Sequence, residues 1–115
     1  MKKVVLVAFN GDPMCFVHVL LNALDMKARG FEARLVIEGA ATRLIAELDD
    51  PERPFHGLYR QVREQGLVDC VCHACATKTG SLEKARRQGL PLCTEMSGHP
   101  SLGRYLEAGW EVMAF

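Results

Sequence analysis

Lys3-Val4-Val5-Leu6-Val7-Ala8-Phe9, followed directly by Asn10-Gly11-Asp12-Pro13, decides how this chain is read. The first seven residues form a continuous β-branched and apolar run. That is the pattern of a strand covered on both faces, and such strands belong to parallel sheets. The next four supply a turn, with Asp12 as a candidate helix N-cap and Pro13 at the first helical position, where a missing N–H costs nothing.

Working outward, Pro13 to about Arg29 reads as a helix that is apolar nearly all round. Its polar residues His18, Asn22, Asp25 and Arg29 fall on one narrow stripe, and Gly30 ends it. So little polar surface predicts that more than its own sheet covers this helix, with a subunit interface as the economical cover. Glu32 to Ile37 is a second strand closed by Glu38-Gly39, and Ala40 to Leu48 a short helix. The proline-rich stretch Asp49 to Pro54 is a loop. Phe55, Leu58, Tyr59 and Val62 recur at helical spacing before Gly66. Leu67 to Cys72 is a third strand, and Ala74 to Gln88 a helix interrupted at Gly80-Ser81. Leu90 to Cys93 is a short fourth strand. Ser97-Gly98-His99-Pro100 turns into a last helix, Ser101 to Ala108, and Trp110 to Phe115 is the fifth strand. This alternation predicts one α/β domain over residues 1–115, a three-layer α/β/α sandwich with a mostly parallel five-stranded sheet.

Composition narrows the function classes. The chain has 115 residues, enough for one core, and its fourteen basic and fourteen acidic side chains balance to a net charge of zero. No basic excess points to nucleic acid, and no apolar stretch is long enough to span a membrane. The apolar amino terminus is too soon broken by Asn10-Gly11-Asp12-Pro13, with no small-residue cleavage site, to be expected to act as a signal peptide. Five cysteines, an odd number at uneven spacing, do not look like a secreted disulfide framework, so a cytoplasmic location with reduced thiols is expected. No G-x-G-x-x-G or Walker sequence is present, so no nucleotide or other cofactor is expected.

Ligands of open parallel sheets bind beyond the carboxyl ends of the strands. Those ends are Asn10-Gly11-Asp12, Glu38-Gly39, Cys72-His73 and Thr94 to His99, with Cys15 one turn into the first helix. Cys72 is the leading candidate nucleophile, because the N–H groups of the helix that follows it favour a thiolate. Cys70 lies one pleat deeper on the same face and reads as core. Cys75 completes a Cys72-His73-Ala74-Cys75 C-x-x-C motif. Such a pair serves as a dithiol, as a resolving thiol, or as half of a zinc site whose remaining ligands would come from Cys70, Cys93, His73 or His99. No metal site is assigned on so small a motif. His99, in a Gly-His-Pro turn, is a candidate base or thiol-orienting group. His18, His56 and Asp12 have plain structural readings, as a solvated or interface stripe residue, a loop residue and a cap. Lys78, Lys84, Arg86 and Arg87 form a solvated helix face, which could attract an anionic sulfur donor or an acidic partner.

The apolar first strand running into Asn10-Gly11-Asp12-Pro13 and the apolar helix behind it together resemble the DsrE/DsrF-like family of sulfur-relay proteins, which includes the TusD-type members. So does the strand-end cysteine of Val71-Cys72-His73-Ala74-Cys75. The closing segment from Gly98-His99-Pro100-Ser101 to Trp110-Glu111-Val112 fits the same comparison. The resemblance implies a sulfur carrier or sulfurtransferase that holds sulfane sulfur as a persulfide on Cys72. It also implies homotrimers or homohexamers, and donor and acceptor proteins as partners. The alternatives are a zinc-binding or assembly subunit using Cys72 and Cys75, or a dithiol redox protein.

Overall fold

The computed structural model describes residues 1–115, and its elements alternate as the periodicity requires. In chain order they are β1 (Lys3–Ala8), α1 (Pro13–Ala28), β2 (Glu32–Ile37), a 3-10 turn (Gly39–Thr42), α2 (Arg43–Glu47) and α3 (His56–Glu64). There follow β3 (Val68–Cys72), α4 (His73–Thr79), α5 (Leu82–Arg87), β4 (Leu92–Cys93), α6 (Leu102–Glu107) and β5 (Glu111–Ala114). Asp12 does cap α1, its carboxylate accepting the Met14 N–H at 2.9 Å, and Pro13 opens the helix. The interruption after Thr79 is a left-handed Gly80 that ends α4, and α5 starts two residues later.

The five strands lie in the order β4-β3-β2-β1-β5, and every pairing is parallel. From β1 through β4 the chain steps in one direction, and crossovers of a single hand keep α1 to α5 on one face. The return from β4 to the far edge of the sheet reverses that direction, so α6 is laid on the opposite face. The core divides accordingly. A cluster of 21 buried residues, with Leu6, Leu35, Ile37 and Val71 from the strands and Phe16, Leu20, Leu44 and Tyr59 from the helices, fills the first face. Only six buried residues, Val5, Val7, Val36, Cys70, Cys93 and Tyr105, fill the second, so the third layer is a thin one made by α6. No helix is long and apolar enough to cross a membrane.

Two local features distinguish β3 from the other strands. Leu35 pairs with Val68 but Val36 pairs with Cys70, so Asp69 is the extra residue of a β-bulge in β3. The bulge turns both Asp69 and Cys70 toward α6, where the Tyr105 hydroxyl donates to the Asp69 carboxylate and lies 3.8 Å from the Cys70 sulfur. Cys70 is also joined to Cys93 by a disulfide across the β3–β4 pair, with Cα atoms 5.7 Å apart. Cys70 is therefore not a lone core thiol, Cys93 is not a free ligand, and the expectation of reduced thiols fails for this pair. Spacing along the chain could not reveal it, because the two cysteines meet only through strand pairing.

Candidate functional site

The chain leaves β3 toward the face of α4 and leaves β4 toward the face of α6. Where neighbouring strands send their connections to opposite faces, a crevice opens beyond their carboxyl ends. Cys72 ends β3 at that crevice and is the N-cap of α4, its sulfur accepting the Cys75 N–H at 3.2 Å. Cys75, one turn on, turns its sulfur back to within 2.7 Å of the Cys72 sulfur. That is closer than two unbonded sulfurs usually rest, and longer than the about 2.0 Å of a disulfide.

The third member arrives from β4. Met96 and His99 exchange backbone hydrogen bonds of 2.9 and 3.0 Å around Ser97 and Gly98, whose φ values are 52° and 89°. Two successive positive φ angles define a type I′ turn, and glycine is the natural residue at its second central position. The turn is docked on α4, since the Gly98 carbonyl accepts the Ala74 N–H at 2.9 Å. A Cβ on Gly98 would lie 3.2 Å from the Ala74 Cβ, so the close approach also requires glycine. This docking brings the His99 Nδ1 to 3.2 Å from the Cys72 sulfur and 3.8 Å from that of Cys75. The three ligand-capable atoms lie within 4.8 Å of one another.

The two thiols differ in environment. Cys72 is fully buried, and burial pushes its thiol up to about 12, with the hydrogen bond and charge of Cys75 and the charge of Glu38 adding to the rise. The Cys75 N–H acts in the opposite sense but does not prevail. The expected depression of the Cys72 pKa by the start of the helix is thus overturned, because the cost of placing charge in a closed site exceeds one favourable N–H. Cys75 is half-buried and lines an open cleft of about 440 Å³ with Ala74, Thr77, Lys78 and His99.

Glu38, placed by the sequence among the strand ends but given no role there by any motif, lies beside the thiols. It follows Ile37, which pairs with Val71, so Glu38 and Cys72 are the next residues along adjacent strands. Its Oε2 is buried without a hydrogen-bond partner. Burial raises its pKa, partly offset by the charge of His99. The available signal was its position at the end of β2, one strand from Cys72.

Other sequence candidates lie elsewhere. Cys15 and His18 line a separate cleft with Asp12, Met14, Asn22 and Phe115. Asp12 is occupied as a cap, and the His56 Nδ1 is 2.7 Å from the Leu48 carbonyl. His73 is the first residue of α4, and its carbonyl accepts the Thr77 hydroxyl. Lys78 does face the Cys75 cleft, whereas Lys84 is directed to Asp49.

Fold and site together define an α/β protein with a thiol pair and an imidazole at the switch point of a parallel sheet. No family model matches the chain. It is 29% identical over 97 residues to the uncharacterized protein MJ0733 of Methanocaldococcus jannaschii, covering 84% of this chain and 77% of that one. Two uncharacterized proteins of Archaeoglobus fulgidus match shorter segments. One is 46% identical over 41 residues, covering 36% of this chain and 67% of the relative. The other is 47% identical over 36 residues, covering 31% of this chain and 97% of the relative. The chain belongs to the same family as these Archaeoglobus proteins. In fold it is similar to a conserved protein of unknown function, BT1422 of Bacteroides thetaiotaomicron. The TM-score is 0.69 at 16% identity, over 98% of this chain and 95% of that one.

Proposed function

We propose that this chain is a homo-oligomeric sulfur carrier of DsrE-like type that receives sulfane sulfur on the Cys72–Cys75 pair and passes it to a partner protein's thiol. The observation that carries the reading is the 2.7 Å approach of a buried and an accessible sulfur, with the His99 Nδ1 against both. The burial of Cys72 and the half-exposure of Cys75 favour the following order of events. The Cys75 thiolate, at the cleft, attacks the outer sulfur of a donor persulfide R–S–SH; the donor S–S bond breaks and R–S⁻ leaves. The Cys72 thiol gives its proton to His99 as its sulfur attacks the outer sulfur of Cys75–S–SH. Cys72–S–SH forms and Cys75 departs as thiolate. Delivery reverses the internal step and passes the outer sulfur from Cys75, at the cleft, to an acceptor thiolate, so no external oxidant or reductant is consumed. Lys78, beside Cys75, supplies positive charge for an anionic donor.

The test is the intact mass of the chain after anaerobic exposure to a sulfane-sulfur donor. The wild type gains sulfur that a reductant removes, Cys72→Ser retains sulfur on Cys75, and Cys75→Ser loads slowly or not at all. No gain in the wild type would sink the reading. The short S···S approach also favours a dithiol role, which would register as a loss of two hydrogens in place of a gain.

A further inference from the structure

We propose that Cys72, Cys75 and His99 form a binding site for a thiophilic divalent cation, zinc by its chemistry, with a fourth coordination position open to the cleft. The residue types suit it. Two thiolates and an imidazole are the ligands zinc prefers, C-x-x-C is a common spacing for its first pair, and three protein ligands leave one position free.

The distances can be compared with what such an ion demands. Bonds of about 2.3 Å to sulfur and about 2.0 Å to nitrogen, at tetrahedral angles, separate sulfur from nitrogen by about 3.5 Å and sulfur from sulfur by about 3.8 Å. The His99 Nδ1 stands 3.2 and 3.8 Å from the two sulfurs, on either side of the first requirement. The sulfurs, now 2.7 Å apart, must separate by about 1 Å, which a small rotation of the half-buried Cys75 side chain provides. Cys72 needs no adjustment, because its sulfur is already held as the N-cap by the Cys75 N–H.

A second observation, independent of the ligand cluster, points the same way. The Glu38 Oε2 is buried beside this cluster with no hydrogen-bond partner. A buried carboxylate oxygen without a partner is costly, and a nearby cation offsets that cost through space. Two thiolates beside a carboxylate repel one another. A dication at their centre neutralises the two sulfurs and attracts the third charge. Glu38 is then an outer carboxylate that strengthens the site without ligating the ion.

A cation held by these ligands occupies the sulfurs that the proposed relay uses. This consequence rests on the sulfur-carrier reading; the site itself does not.

Cobalt(II), alone and without any sulfur donor, is the probe, because thiolate ligation gives it a charge-transfer band and tetrahedral geometry gives it intense visible bands. The full chain, with Cys72 and Cys75 reduced and the Cys70–Cys93 disulfide intact, is titrated anaerobically. It should saturate at one equivalent with both signatures, and zinc should displace the cobalt. Cys75→Ser should remove about half of the charge-transfer intensity, and His99→Ala should weaken binding at least about tenfold. Glu38→Gln should weaken binding while leaving the spectrum unchanged, and Cys15→Ser should change neither. Far-ultraviolet circular dichroism of each variant checks its folding, and a variant that fails to fold is replaced by alkylating Cys75 in the wild type, which should likewise remove about half of the charge-transfer intensity. No thiolate charge transfer at one equivalent, or a signature indifferent to loss of the Cys75 thiol, would overturn the site. Because no sulfane sulfur is present, that failure leaves the relay reading standing, and failure of sulfur loading leaves the metal site standing.

Discussion

Replacing Gly98 by alanine tests how the His99 arm is held over the thiols. Gly98 has φ 89°, and an added Cβ would meet the Ala74 Cβ at 3.2 Å. The left-handed backbone costs an L-residue about 1–2 kcal/mol, and pressing a methyl into a close-packed contact adds about 1 kcal/mol. Gly98→Ala should therefore lose about 2–3 kcal/mol, a fall in Tm of about 10 °C for a domain of this size. Gly66→Ala is the control, because Gly66 also has positive φ (68°) but nothing lies within 4 Å of the Cβ position. It should lose only the backbone part, about 1–2 kcal/mol. Adding Ala74→Gly to Gly98→Ala removes the facing methyl, so the double variant should be more stable than the sum of the two single changes. Thermal and urea unfolding of the four variants measure the cycle. If Gly98→Ala costs no more than Gly66→Ala, and Ala74→Gly couples to it by less than about 0.3 kcal/mol, the turn is not pressed against α4 and the account of His99 placement is wrong.

Two more outcomes concern the cysteines. The Cys70–Cys93 disulfide spans 23 residues, a loop whose closure should stabilise the fold by about 3 kcal/mol. Cys70→Ala/Cys93→Ala should lower the urea midpoint accordingly, and titration of five free thiols in unfolded, unreduced wild type would disprove the bond. The buried Cys72 thiol makes stability pH-dependent at the alkaline end. Unfolded, it releases its proton near 9.0; folded, it holds the proton to about 12. The unfolded state binds fewer protons across that window, so stability falls as pH rises through it, by at most about 1.4 kcal/mol per pH unit from this group. Urea unfolding at stepped pH should show wild type losing stability faster than Cys72→Ser between about pH 9 and 10, and parallel losses would contradict the burial of that thiol.

The elements were legible along the chain because their signals are local. The β-branched run Lys3–Ala8, the cap at Asp12, the stop at Gly66 and the break at Gly80 each act on their own few residues. The same signals placed Cys72 at a strand end and the helix start beside it, which singled out the C-x-x-C pair. Which strand ends adjoin is a different matter, because strand order is set by pairing between segments distant in sequence. Tertiary structure alone put β4 beside β3, tied Cys93 to Cys70 and left Cys72 and Cys75 free. It alone set the His99 turn on Ala74, put Glu38 next to Cys72, and turned Asp69 toward Tyr105 through the bulge. It also reversed the pKa expected for Cys72. A helix N–H can be read from two neighbouring residues, but burial is the sum over every element that closes around the sulfur.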